Sequence, residues 1–265
     1  MALIECKFFS RSLAINTAIF VIIPSPSPDE AMSGIQGDYY DPSVKYPTLY
    51  LLHGGFGDYT DWQRKTRIEE YAEKHKIAVV MPSAENSFYA DMAKGNNYWQ
   101  FISEELPQVA RGLFPLSDKK EDNFVAGLSM GGYGAFKMAL WKPECFEAAA
   151  SLSGAVDICS LFEDSQTRNI KIDDAFGDFS KVKGSKNDLK AVIKQMKEEN
   201  AEIPKLYMAC GTEDFIYHSN VRFRDYLNEL GVELTYEEGP GVHGWAFWDK
   251  YIQNVLDWLP IRSKS

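Results

Sequence analysis

The pentapeptide from Gly127 to Gly131 constrains the fold of this chain more than any other stretch, because it places a serine between a strand-like run and a helix-like run. The mostly apolar residues 123–128 precede Ser129, and residues 133–141 have the composition of a helix. A serine in that position lies on a very tight turn, so its neighbours at minus two and plus two need to be glycine, where a Cβ would collide with the backbone. The turn exposes the hydroxyl above the sheet edge, and the following helix directs its first N–H groups towards it. The pattern predicts a nucleophilic serine, whereas a bare G-x-S-x-G turn also arises by chance.

Composition and charge restrict the class of protein and its partners. The 265 residues are 45% hydrophobic and 25% charged, which is typical of a globular chain and allows one domain over residues 1–265. A net charge of -10 disfavours nucleic-acid and anionic-membrane partners, because both would repel the chain. No secretory signal is evident, and no apolar run approaches the roughly 18 residues that span a bilayer. A cytoplasmic protein that acts on a neutral small molecule is the expectation.

Strand-like and helix-like runs alternate from residue 48 onward, which predicts a mostly parallel sheet with helices on both faces. The predicted strands are 3–9, 15–23, 48–52, 77–81, 123–128, 146–153, 205–211 and 232–237. The predicted helices are 61–74, 98–114, 133–141, 221–230 and 245–259, with Pro107 expected to bend the second. Functional residues of such a sheet lie at the carboxyl ends of the strands.

Residues 156–204 interrupt this alternation. They contain several phenylalanines and acidic residues and then a lysine-rich stretch with partly helical spacing. We interpret the segment as an insertion between two core strands and as a candidate lid over the site. A surface excursion without substrate contact is the alternative. The four cysteines are scattered without a C-x-x-C pair, so they are interpreted as reduced packing residues with no metal or redox role.

Two further polar residues meet the expectation for the carboxyl ends of strands. Asp214 follows the predicted strand 205–211, and His243 lies in the loop after the strand 232–237. The chain order Ser129, Asp214, His243 is that of the α/β-hydrolase fold. In such a triad the histidine takes the serine proton, and the buried carboxylate fixes the imidazole tautomer and stabilises the imidazolium.

Other residues compete for these two roles. The chain has four histidines. His53 is interpreted as a structural member of its loop, and His75 lies at a helix end away from the site. His218 follows Asp214 too closely in sequence to reach the opposite side of the serine. Glu213 is the alternative acid, although consecutive residues point in different directions and only one of them can face the histidine.

A glycine-dense turn follows the buried strand 48–52. The sequence His53-Gly54-Gly55-Phe56 can bring backbone N–H groups close to a ligand. In a serine hydrolase, a loop after an early strand supplies the second oxyanion donor. Gly55 is the first candidate and Phe56 the next, and a simple turn without this role is the alternative.

Five motifs, in this order along the chain, make it resemble the Putative esterase family of α/β-hydrolases, which includes esterase D. They are Leu51 to Gly55, Glu104 to Val109, Ala126 to Gly134, Cys210 to Phe215, and His243 with Trp245. The likeness is greatest to the bacterial tributyrin esterases. It implies a Ser129, Asp214 and His243 triad and an oxyanion hole formed by the N–H groups of Met130 and Gly55. It also implies hydrolysis of short-chain acyl esters, including acetylated sugars, and homo-oligomers in several members. No metal or organic cofactor is expected, because backbone donors already stabilise the oxyanion that develops.

The resemblance leaves other activities open. S-formylglutathione hydrolases share the serine motif but usually have a different loop at residues 53–56, and feruloyl esterases usually carry a signal or a second module. An acyltransferase uses the same residues with an alcohol in place of water. A peptidase and a non-catalytic binding protein are further alternatives. Phe56 and Trp99 are the candidate substrate-binding residues.

Overall fold

One eight-stranded β-sheet organises the molecule. The structure, a computed structural model, describes residues 1–34, 37–162 and 172–262. The strands are β1 (Ala2–Ser10), β2 (Ile15–Ile23), β3 (Thr48–Leu52), β4 (Ala78–Pro82), β5 (Asn123–Leu128), β6 (Ala148–Leu152), β7 (Lys205–Gly211) and β8 (Leu234–Gly239). Their order in the sheet is β1-β2-β4-β3-β5-β6-β7-β8. Strands β3 to β8 are parallel, and β1 and β2 are antiparallel to their neighbours, which confirms the predicted mostly parallel sheet.

Helices connect the strands and cover both faces of the sheet. They are α1 (Pro28–Ser33), α2 (Asp61–Lys65), α3 (Ile68–His75), α4 (Tyr98–Gln100), α5 (Leu106–Leu113), α6 (Met130–Trp141), α7 (Ile158–Leu161), α8 (Ile172–Phe176), α9 (Leu189–Glu198), α10 (Tyr217–Glu229) and α11 (Trp245–Trp258). A π-helical turn, Phe101–Glu105, joins α4 to α5.

Side chains alternate between two hydrophobic cores, as the strand period of two requires. In β3, Tyr50 and Leu52 pack into the core that contains Phe136 of α6. Leu49 and Leu51 point the other way, into the core formed with α3 and α11. All five residues of β3 are buried, which agrees with its continuously apolar sequence.

Two predicted helices are interrupted in the structure for local reasons. The prediction 61–74 divides at Thr66, whose hydroxyl donates to the Trp62 carbonyl (2.6 Å) and accepts from the Ile68 N–H (3.1 Å), ending α2 and beginning α3. The prediction 98–114 contains the π-helical turn immediately before α5, and Pro107 lies in the first turn of α5. An N-terminal turn tolerates proline because its N–H groups have no helical acceptor.

A short helix that was not predicted, α1, lies between the predicted strands 15–23 and 48–52. Ser27 and Glu30 form a reciprocal capping box at the start of α1: the Glu30 N–H donates to Ser27 Oγ (3.2 Å), and the Ser27 N–H donates to the Glu30 carboxylate (2.8 Å). The serine and glutamate three residues apart carried that signal.

The insertion at 156–204 is fastened to the outer side of α6 in its described part. Helix α9 packs against α6. Tyr133 OH donates to the Asn187 carbonyl (2.9 Å), and Trp141 Nε1–H donates to the Lys186 carbonyl (2.9 Å). Residues 163–171 of the candidate lid lie outside the described residues, so its role over the site stays a prediction.

Candidate active site

Ser129 lies at the point where β5 turns into α6. Its backbone has φ 53° and ψ −119°. Residues with a Cβ rarely adopt this conformation, so surrounding contacts must stabilise it. The Ser129 N–H donates to the Leu152 carbonyl of β6 (2.9 Å), and its carbonyl accepts from the Ala155 N–H (3.0 Å). These bonds tie the strained turn to the neighbouring strand.

The two glycines of the motif are required by close backbone contacts, as predicted. A Cβ at Gly127 would lie 2.3 Å from the Gly131 carbonyl oxygen. A Cβ at Gly131 would lie 2.5 Å from the His53 carbonyl oxygen. Only glycine lets the serine turn and the loop after β3 approach this closely.

Ser129, His243 and Asp214 form one hydrogen-bonded chain. Ser129 Oγ lies 3.0 Å from His243 Nε2, and His243 Nδ1 lies 2.9 and 3.0 Å from the two Asp214 carboxylate oxygens. The Asp214 side chain has no exposed surface, whereas 18% of the His243 side chain is exposed. Because Asp214 can only accept, Nδ1 carries the proton, and Nε2 is then free to accept the serine proton.

Glu213, the alternative acid, occupies a different position. Its carboxylate accepts from the Gly241 N–H (2.6 Å), and its own N–H donates to the Gly241 carbonyl (3.2 Å). The bond from Gly241 lowers the pKa of Glu213. Glu213 therefore holds the loop that carries His243 and does not face the imidazole.

Two aromatic rings contact the His243 imidazole, and neither contact was predicted. The Phe215 ring centroid lies 4.7 Å from that of His243, and the Trp248 centroid lies 5.0 Å away at a right angle. Trp248 is buried, but 72% of Phe215 is exposed. The position of Phe215 directly after Asp214 was the available signal.

The backbone N–H groups of Gly55 and Met130 are unoccupied hydrogen-bond donors among the described residues, as an oxyanion hole requires. Neither donates to a protein acceptor within residues 1–34, 37–162 and 172–262. Met130 is the first residue of α6, where N–H groups lack a helical acceptor. The Phe56 N–H, by contrast, donates to Asn86 Oδ1 (2.7 Å). The geometry favours Gly55 over Phe56 as the donor.

His53 is buried among backbone groups. The Ala84 N–H donates to its Nε2 (2.8 Å), so Nδ1 carries the proton and donates to the Gly54 carbonyl (2.6 Å). Burial lowers the pKa of His53. Both ring nitrogens are occupied, which agrees with the structural role predicted for this residue.

The two candidate substrate-binding residues differ in position. Phe56 is 75% exposed and directly follows Gly55, at the rim of the site. Trp99 packs on Trp141, with ring centroids 4.4 Å apart. Trp141 ends the 12-residue helix α6, about 18 Å along its axis from Ser129. The structure places Trp99 against the far end of α6, and its role in substrate binding stays a prediction.

The other histidines and the cysteines form no hydrogen bond with Ser129, His243 or Asp214 in the part of the chain that the structure describes. His75 Nε2 pairs with Asp257 (3.2 Å), and His218 is exposed on α10. None of the four cysteines forms a disulfide. Among the described residues, no group of three or more His, Cys, Asp or Glu side chains is arranged to hold a metal ion, and no helix has the length and apolarity to cross a membrane.

Comparison with known proteins places this chain in a family. The model of the family described as Putative esterase matches residues 30–259. An acetyl esterase of Caldicellulosiruptor saccharolyticus is 37% identical over 266 residues, which cover 98% of both chains. Two solved Staphylococcus aureus structures are each 36% identical. FphF, a fluorophosphonate-binding serine hydrolase with substrate bound, has a TM-score of 0.88 and coverage of 99% of both chains. The S-formylglutathione hydrolase FrmB has a TM-score of 0.83, with 97% of this chain and 98% of FrmB covered.

The fold and these relatives define an α/β-hydrolase that acts as a carboxylic ester hydrolase. The chain belongs to the Putative esterase family.

Proposed function

We propose that this protein is a serine carboxylesterase that removes short acyl groups, acetyl to butyryl, through an acyl-enzyme on Ser129. The observation that carries the proposal is the contact of Ser129 Oγ with His243 Nε2 (3.0 Å), whose other nitrogen contacts the buried Asp214. A neutral serine is a weak nucleophile, and His243 is placed to act as the base that activates it.

The first half of the reaction forms the acyl-enzyme. As Ser129 Oγ attacks the ester carbonyl, its proton moves to His243 Nε2, and the carbonyl oxygen becomes an oxyanion. The free N–H groups of Gly55 and Met130 stabilise that charge, and donors of this kind contribute about 3 kcal/mol each. When the tetrahedral intermediate collapses, the bond to the alcohol oxygen breaks, and His243 returns its proton to the leaving alkoxide.

The second half uses water. His243 removes a proton from water as the water oxygen attacks the acyl carbon, and then returns that proton to Ser129 Oγ as the free acid leaves. Asp214 keeps its negative charge throughout and stabilises the imidazolium in both halves.

The surroundings of His243 indicate where the alcohol part of the ester lies. The group that receives a proton from His243 must be next to it, and the exposed Phe215 ring contacts the imidazole. The adjoining Val242 is 63% exposed. Phe215 and Val242 therefore form an apolar surface for the alcohol part, either an aryl group or the apolar face of an acetylated sugar.

Hydrolysis of p-nitrophenyl esters from acetate to decanoate by the parent and by Ser129→Ala tests the proposal. We expect a maximum at acetate to butyrate and a loss of about a millionfold in kcat for the variant, with unchanged folding by circular dichroism. Near-parental turnover by Ser129→Ala would contradict the nucleophile, and a maximum at decanoate would contradict the short acyl group.

The likeness to FrmB supports a second candidate, hydrolysis of S-formylglutathione, a thioester that the same residues could cleave. Measuring kcat/KM for S-formylglutathione, a feruloyl ester and acetylated xylose in the same assay series distinguishes these substrates. Adding a competing alcohol and analysing the products separates hydrolysis from acyl transfer.

A further inference from the structure

A second loop, residues 83–90, is hydrogen-bonded to the glycine-dense turn at residues 53–56. We name residues 83–90 the support loop. The Ala84 N–H donates to His53 Nε2 (2.8 Å), and Tyr89 OH donates to the His53 carbonyl (2.8 Å). His53 is two residues before Gly55, so the support loop fixes the start of the turn that carries the proposed donor.

The support loop also fixes the other side of Gly55. Asn86 Oδ1 accepts from the Phe56 N–H (2.7 Å), and Ser83 Oγ accepts from the Tyr59 N–H (2.9 Å). With both flanks held, the direction of the Gly55 N–H depends on the position of the support loop.

The support loop has a strained backbone. Glu85, Phe88 and Tyr89 have φ values of 46°, 50° and 51°, in the left-handed region that disfavours residues with a Cβ. Each such residue costs about 1 kcal/mol or more, and the conformation persists only where other contacts impose it. Phe88 and Tyr89 are also buried, so those contacts come from the protein interior.

Lys137 of α6 supplies one of these contacts. Its Nζ donates to the Tyr89 carbonyl (3.1 Å), and only 1% of the residue is exposed. The rings of Trp99, Trp141 and Tyr133 surround Nζ, with centroids 5.2, 4.7 and 5.8 Å away. Trp99 therefore has a place in the molecule, as part of this aromatic enclosure.

Gly134 of α6, three residues beyond the serine motif, makes room for Tyr89. A Cβ at Gly134 would lie 2.3 Å from Tyr89 Cδ2. Lys137 holds the Tyr89 backbone from one turn further along α6. The helix that begins at the nucleophile thus also positions Tyr89.

A buried amine at position 137 is energetically unfavourable by itself. Burial lowers the pKa of Lys137 to about 7; Asp91 favours its charged form and Lys186 opposes it. Among the described residues, no carboxylate forms an ion pair with Lys137. An apolar side chain would fill the same space without this desolvation cost. What an apolar side chain could not do is donate to the Tyr89 carbonyl.

We propose that Lys137 and Tyr89 are positioning residues for the Gly55 N–H: Lys137 holds the Tyr89 backbone, and the Tyr89 hydroxyl holds the His53 carbonyl. The inference rests on the proposed function, because it assigns the Gly55 N–H to the oxyanion. In this arrangement the helix that begins after Ser129 holds the support loop, and the support loop holds the turn that carries the Gly55 N–H.

The consequence is specific to the transition state. The oxyanion exists only during acyl transfer, so a misdirected Gly55 N–H lowers kcat and leaves substrate binding unchanged. Removing an oxyanion donor costs about 100- to 1,000-fold in kcat, and a misplaced one costs part of that. A residue that served only stability would lower the active fraction and leave kcat per active site unchanged.

The test compares Lys137→Met, Tyr89→Phe and the double variant with the parent on p-nitrophenyl acetate. Titration with a fluorophosphonate counts active sites, so that kcat refers to folded enzyme alone. We expect each single variant to lose about tenfold or more in kcat, with KM within about twofold. The double variant should lose no more than the worse single variant, because both changes break the same connection.

Lys186→Met is the matched control. Lys186 also lies over the Trp141 ring, with its Nζ 4.8 Å from the centroid, but the structure gives it no bond to the support loop. We expect its kcat to equal that of the parent. Affinity for a tetrahedral boronate analogue should fall in Lys137→Met and Tyr89→Phe by about the same factor as kcat.

Three results would overturn the inference: parental kcat per active site in both single variants, additive losses in the double variant, or an unchanged boronate affinity. If Lys137→Met does not fold, Tyr89→Phe, which removes one hydroxyl, decides alone. An inactive parent would instead reject the proposed function.

Discussion

The two sides of Ser129 are held in opposite ways. On the side of the proposed oxyanion hole, His53 is buried, and both of its ring nitrogens bond to backbone groups. On the proton-transfer side, His243 is partly exposed, and its ring nitrogens bond to the side chains of Ser129 and Asp214. The same residue type thus has a structural role where the backbone saturates it and can transfer protons where side chains leave one nitrogen exchangeable.

The largest effect is expected when the proposed general base, His243, is removed. His243→Ala should lower kcat by about a millionfold, since serine and histidine act as one unit. Its free energy of unfolding should stay within about 1 kcal/mol of the parent, because the loop is held at Glu213. Steady-state kinetics and urea unfolding measure the two quantities. Retained activity would show that another group is the base.

His53→Ala should mainly lower stability. It leaves the buried Ala84 N–H without an acceptor and creates a cavity, which together cost about 3 kcal/mol of unfolding free energy. Urea unfolding measures this loss, with the half-buried His75→Ala as the control, expected to behave like the parent in stability and activity. A His53→Ala protein of parental stability and no activity would reverse the comparison.

An intermediate effect is expected at Glu213, which holds the His243 loop through Gly241. Glu213→Ala should lower kcat about tenfold by loosening the loop, whereas Glu213→Gln keeps an oxygen acceptor and should stay close to the parent. Equal losses in both variants would indicate a role for the charge itself.

The same contact gives a pH dependence of known sign. The folded pKa of Glu213 is lowered from 4.5, so its contribution to stability is present above that pH and is lost as the pH falls through the folded pKa. The difference in Tm between the parent and Glu213→Ala should therefore be larger at pH 7 than at pH 3. A difference that grows in acid would contradict the assignment.

The smallest expected effect concerns the alcohol part of the substrate. Phe215→Ala should lower the kcat/KM ratio of phenyl acetate to methyl acetate about fivefold, as the loss of about 1 kcal/mol of aromatic contact implies. Phe9→Ala, which changes an exposed phenylalanine on the edge strand β1, should leave the ratio unchanged. An unchanged ratio in Phe215→Ala would place the alcohol elsewhere.

What the sequence could predict depends on how local the signal is. Strands β3, β5 and β7 agree with the prediction to the residue, since each is a buried run bounded by turn residues. The residues Ser129, Asp214 and His243 could be selected because the order of strands brings their ends together.

The supports of the site carry no such local signal. Asn86, Tyr89 and Lys137 bond to segments tens of residues away, and nothing in their spacing indicates those partners. The contacts of Trp99 with Trp141 and Lys137 were also not predictable, because its nearness in sequence to a loop at the site does not indicate which helix it packs against. Thr66 ends α2 through a single side-chain bond, which helical periodicity does not reveal.

The exposed rim of the site has a consequence for how this enzyme could change. Phe56, Phe215 and Val242 are each 63% exposed or more, and each is adjacent in sequence to a residue of the proposed machinery. Their side chains contribute little to the buried cores, whereas their backbones are fixed by neighbours. A library limited to these three positions would vary the recognised alcohol or acyl group while leaving folding intact. Under the proposed function, substrate preference can therefore change through these positions without an earlier increase in the free energy of unfolding.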